Sequence, residues 1–125
     1  MSDKLKERLE TLPEEIQKQE FKILGFSNAI NTFNKEIEEM EVNTMAKIAR
    51  EKVIDDEGIE KKKYPNEAAR LGEFKKQLNR KDYNEAVKNI NENKNNLERE
   101  KINLKYLKNT LTATKYLVKL YVMEE

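Results

Sequence analysis

Large apolar residues recur in steps of seven through both halves of the chain, and this spacing restricts the fold more than any other feature. In the N-terminal half Leu9, Ile16, Ile23, Ile30 and Ile37 hold one register. Leu5, Leu12, Phe26, Phe33 and Met40 hold the companion register, broken only at Gln19. An ordinary amphipathic helix drifts at about 3.6 residues per turn, whereas these positions keep about 3.5, the period of a narrow coiled-coil seam. In the C-terminal half Tyr83, Ile90, Leu97, Leu104, Leu111 and Val118 follow by sevens without a miss. Their companions are Ala86, Asn93, Glu100, Leu107, Thr114 and Tyr121, so this seam is half polar in its middle. A polar seam residue such as Asn93 can fix register or oligomeric state at some cost in stability. Two long helices with matching seams imply an antiparallel hairpin.

Composition closes most other routes. The 125 residues include only 3 Gly and 2 Pro, too few for the many turns of a sandwich, barrel or doubly wound sheet. There is no Cys and no His, which removes disulfides, thiolate or imidazole metal sites and every Ser-His arrangement. The three glycines at 25, 58 and 72 cannot form a phosphate-cradling loop. Carboxylates such as Glu38, Glu39 and Glu41 fall on exposed faces, where nothing tunes them for acid–base work. No catalytic residue, metal ligand or cofactor site is expected.

The breakers place the boundaries. Ser2 is one candidate for the first cap; Thr11 with Glu14, around Pro13, is a second. The second option predicts a kink near Pro13 and a main helix over 12–54. Gly25 in its middle suggests a close helix contact. Past Met40 the apolar positions Val42, Met45, Ile48, Ala49 and Val53 suggest that the seam slips to a new face. Gly58 and Pro65 mark a loop over 55–65. Its run Asp55-Asp56-Glu57-Gly58 lacks the ligand spacing of a calcium loop and reads as a solvated turn. Asn66 caps a short helix over 66–79, and Asp82 with Glu85 forms a capping box for a last helix over 82–122. One helical domain over 1–125 results, with a three-helix bundle at one end. The stretch from Leu12 to Phe33 has more apolar surface than one half-polar helix can cover, so a homodimer or a foreign partner is expected there.

Charge is distributed unevenly. The total is 25 Lys and Arg against 24 Asp and Glu, a net +1. Residues 61–81 carry 8 positive and 2 negative charges, a local +6, while residues 82–125 carry 8 and 7. Lys61, Lys62, Lys63, Tyr64, Lys75, Lys76, Arg80 and Lys81 are therefore candidate contacts for a partner or a nucleic acid. Tyr64 could stack a base while the lysines neutralise phosphates. The competing reading is a solvated loop that docks Tyr64 on the bundle, since arginine forks, scarce here, suit phosphate best.

The C-terminal half resembles small helical proteins encoded by bacteriophages and prophages of low-GC Gram-positive bacteria. The residues that carry the likeness are Tyr64, Asn66, Glu67 and Arg70, then Asp82 and Tyr83, then Leu104, Tyr106 and Leu107. The resemblance implies a phage product near replication, recombination or anti-defence genes, and it brings no catalytic residue.

The expectation is therefore an all-α hairpin whose stability rests on Ile16, Ile23, Phe26, Ile30, Phe33 and Ile37 against Ile90, Leu97, Leu104, Leu107, Leu111 and Val118. Its expected role is non-enzymatic binding of a host or phage protein, such as inhibition of a host nuclease or defence complex. A nucleic-acid-binding accessory using residues 61–81 is the alternative. No membrane partner is expected, because no apolar run approaches the roughly 20 residues of a span. The charged opening MSDKLKERLE has no apolar signal core, which points to the bacterial cytoplasm.

Overall fold

The computed structural model describes residues 3–124, so Ser2 as a cap lies outside the described residues. The elements are α1 (Asp3–Arg50), β1 (Lys52–Ile54), β2 (Glu60–Lys62), α2 (Glu67–Leu78) and α3 (Lys81–Glu124). The fold is all-α, with α1 packed on α3 and one small antiparallel hairpin. None of the described helices is long and apolar enough to cross a membrane.

The chain forms two compact units. The first holds α1 as far as Ala29 and α3 from Glu92 onward. Leu12 is fully buried here, and Ile16, Gln19 and Thr114 are nearly so. Ile23, Phe26, Leu97, Leu104, Leu107, Leu111 and Val118 are half-buried. The sevens thus mark a seam that α1 and α3 close between them. Of the apolar surface from Leu12 onward, α3 covers the seam residues, while Phe21 and Leu24 stay exposed at 63% and 53%. At a polar place in α3, the Gln19 amide donates to the Glu100 backbone carbonyl at 2.9 Å and to the Glu100 carboxylate. The apparent break in one seam meets the polar place in the other.

The helix does not restart near residue 12; it runs unbroken through Pro13. Proline removes one helical hydrogen bond and crowds the carbonyl four residues back, at a cost of about 3 kcal/mol. Continuity keeps Leu9, Leu12 and Ile16 on one face, and burial of that face offsets the cost. Arg8 and Glu15, two turns apart, bracket Pro13, with the guanidinium 3.3 Å from both carboxylate oxygens. Gly25 makes no close contact: a Cβ built there meets nothing within 4 Å.

The second unit spans Ile30–Asn91. Its core contains Ile30, Thr44 and Ile48 of α1, Leu78 of α2, and Ala86 and Ile90 of α3. Phe33 and Ile37 are half-buried beside them. The slip expected past Met40 does not occur as drawn. The Ile37 register continues by sevens to Thr44, which is 4% exposed, and to half-buried Glu51, while Val42 is 60% exposed. Only the companion row shifts by one, so that Ile48 rather than Lys47 is buried. The Tyr83 hydroxyl donates to the Glu41 carboxylate at 3.0 Å, fastening α3 to α1.

Candidate functional site

The region between α1 and α2 differs most from expectation. The helix stops at Arg50 rather than near Ile54, and residues 52–62 form a hairpin instead of a loop. Val53, Ile54 and Ile59 are β-branched and favour extended backbone once the helix has ended. Lys52 pairs with Lys62, Val53 with Lys61 and Ile54 with Glu60. The Lys63 N–H donates to the Glu51 carbonyl at 3.0 Å, so the hairpin grows directly from the end of α1.

The acidic run makes the turn. The Gly58 N–H donates to the Asp55 carbonyl at 3.0 Å, and Gly58 adopts φ 80°, the left-handed conformation that suits glycine. The Asp55 carboxylate accepts the N–H groups of Glu57 at 3.0 Å and Ile59 at 2.8 Å. Hydrogen bonding from Ile59, then from the Lys61 ammonium, holds this carboxyl below its ordinary range. Asp55 is thus committed to the turn, and no group of acidic side chains suited to a metal ion occurs among the described residues.

The Asn66 side chain accepts the Ala69 N–H at 2.7 Å and caps α2, as its sequence position implied. Asp82 does not cap α3, which begins one residue earlier at Lys81. Instead Asp82 accepts the Tyr83 N–H and pairs with Arg80 at 2.9 Å, while Glu85 pairs with Lys81 at 3.9 Å. An acid in the first turn complements the helix dipole without serving as the cap.

The basic residues of this region are largely matched by acids of the chain. Lys61 lies 3.0 Å from Asp55 and Lys63 lies 3.7 Å from Glu51. Arg80 and Lys81 are paired as described. The Lys63 ammonium also stands 5.5 Å from the centre of the Tyr64 ring and occupies one face of it. Tyr64 is half-buried, and its hydroxyl, with Gln77 foremost and Lys76 in addition, helps hold Glu73 of α2 below the usual carboxylate range. Lys62 is exposed on β2, and Lys75 and Lys76 occupy the last turn of α2. An open cleft of about 290 Å³ lies where α2 meets α3, lined by Phe74, Lys75, Leu78, Asn79, Tyr83 and Asn84. Lys75 alone of the eight candidates borders it.

The surface that sequence reasoning missed is the outer face of α3. Ile102 and Tyr106 are each 68% exposed, Tyr116 is 62% exposed and Met123 is 82% exposed. Leu117 and Leu120 are also exposed. Between Lys101 and Met123 there are five lysines and no Asp or Glu. The near-neutral sum over 82–125 hid this stretch, because the acids of that segment all lie before Lys101 or after Met123. A shorter charge window would have found it.

No protein-family model, no curated protein and no solved structure matches the chain.

Proposed function

We propose that the protein acts by binding another protein and catalyses no reaction. The observation that carries this reading is the placement of its apolar side chains. Both seams close within the chain, yet Ile102, Tyr106, Tyr116 and Met123 remain on the outer face of α3. Apolar groups that contribute nothing to the fold, gathered on one face, characterise an interaction surface. The likeness of the C-terminal half to phage products supports a bacterial cytoplasmic setting, with a host nuclease or defence complex as the target to be blocked. The ion pairs of Lys61, Lys63, Arg80 and Lys81 count against the nucleic-acid alternative, since each pair must open before its cation can neutralise a phosphate.

Affinity capture from a Gram-positive host lysate, with and without nuclease, tests the reading. The expected result is a protein partner retained after nuclease treatment. Recovery of nucleic acid alone, lost on nuclease treatment, would overturn it and move the function to the basic segment.

A further inference from the structure

The outer face of α3 carries two parallel rows. The apolar row consists of Ile102, Tyr106, Ala113, Tyr116, Leu120 and Met123, with Asn109 in the remaining place. All are exposed. The steps alternate between four and three, so the row repeats every seven residues over three heptads. This is the spacing of the seam that the same helix turns toward α1, read on the opposite face. At about 3.6 residues per turn a row drifts by about 20° per heptad, and a stripe meant for a broad apolar surface is at least about 100° wide. Leu117, Tyr121 and Val122 are exposed outside the row, but it is the row that keeps a seven-residue repeat, and that repeat fits another helix.

The second row is cationic. Lys101, Lys105, Lys108, Lys115 and Lys119 follow the same alternation, with Thr112 fourth among the six places. They lie beside the apolar row, on the side nearer Leu104, Leu111 and Val118 of the seam. Lys101 is 3.6 Å from Glu98. Lys105, Lys108, Lys115 and Lys119 have no ion pair among the described residues. Charges at the places that flank a heptad seam select its partner, and here Lys105 and Lys119 hold such places, while Lys101, Lys108 and Lys115 lie farther round the helix. A second copy docked through this same face would set five lysines near five more, and like charges there oppose association.

We infer that the outer row of α3 is a second coiled-coil seam and that it receives an acidic amphipathic helix of a partner protein. Carboxylates of that helix stand against Lys105 and Lys119, and Lys101, Lys108 and Lys115 add positive potential on the same side. This rests on the protein-binding reading above and gives it a surface and a partner chemistry.

The test uses the full chain and three probes. One is a labelled four-heptad synthetic peptide with Leu at a and d and Glu at e and g. The second is the same peptide with Lys for Glu. The third is a vesicle of phosphatidylglycerol. By fluorescence anisotropy the acidic peptide binds and the lysine peptide does not, and binding weakens as salt screens the charges. The variant Lys105→Glu/Lys119→Glu exchanges the two preferences. The variant Tyr116→Glu/Leu120→Glu binds the acidic peptide about tenfold or more weakly, one decade being about 1.4 kcal/mol. Both variants alter exposed positions, and an unchanged circular dichroism melt verifies their fold. Binding of the acidic peptide that survives either variant overturns the assignment. So does capture by vesicles without binding of the acidic peptide. If a protein captured from lysate is retained equally by Tyr116→Glu/Leu120→Glu, protein binding stands and this surface falls; if it is lost, the surface is supported.

Discussion

Gln19→Ala removes a polar contact that joins the two seams in the first unit. Gln19 is 8% exposed, and its amide donates to the Glu100 carbonyl at 2.9 Å and also to the Glu100 carboxylate. Losing the neutral bond costs about 1 kcal/mol. Removing the one buried methylene, Cγ, costs about 0.8 kcal/mol. These terms reach about 1.8 kcal/mol before the carboxylate bond is considered, a sizeable share of a typical total of about 5–15 kcal/mol. For a chain of this size the melting temperature falls by about 7 °C. The carboxylate bond adds a pH signature. The Gln19 amide, helped by Asn103, Lys22 and Arg99, holds the Glu100 carboxyl below its ordinary range. A carboxyl with a depressed folded value contributes stability that is present above its ordinary value of 4.5 and lost as pH falls through the depressed one. The gap between parent and variant therefore narrows on acidification. Thermal melts by circular dichroism at pH 7 and at successively lower pH measure both effects. A variant that melts with the parent at pH 7, or a gap unchanged in acid, would refute the seam contact.

Three further outcomes follow from the geometry. Gly25→Ala raises stability by about 1 kcal/mol, because the helix gains a better former and the new Cβ meets nothing within 4 Å, whereas Gly58→Ala lowers stability because of the left-handed backbone there; chemical denaturation of the two variants gives opposite signs. Leu12→Ala and Ile48→Ala, at positions 0% and 1% exposed, each cost about 2–5 kcal/mol, and Val42→Ser at a 60% exposed position changes stability by less than about 0.5 kcal/mol, as denaturant midpoints would show. Asp55→Ala removes the acceptor for two turn N–H groups and the partner of Lys61, so amide exchange accelerates across the hairpin while far-ultraviolet dichroism keeps its helical signal; in the parent the same loosening appears as pH falls through the depressed Asp55 value.

The heptads were legible because burial and period coincide: every seam residue from Ile16 to Ile37 and from Ile90 to Val118 is buried or half-buried. Asn66 was legible as a cap because its signal is local. Pro13 misled for the same reason, since its local cost is set against the distant burial of Leu12. The hairpin was obscured by exposure on both faces: Val53, Ile54 and Ile59 show no alternation of burial. Thr44 was passed over because a small polar residue gives no apolar signal, although it continues the Ile37 register. The basic segment was visible in the charge sum, but its partners were not. Glu51 and Asp55 precede their lysines, and only the hairpin folds them back to Lys63 and Lys61.

Two long helices joined by a slack loop can exchange partners between copies: the loop straightens, the helices fuse and each pairs with a neighbour. The connection between α1 and α3 resists this exchange. It has a strand ladder, a turn tied by Asp55, a glycine at φ 80° and a capped helix of its own. Fusing α1 into α3 would require Val53, Ile54 and Ile59 to become helical, Gly58 to leave its left-handed well and Asn66 to surrender its cap. Each step undoes a contact of the present connection. The hairpin and its cap therefore add to the cost of exchanging α3 between copies.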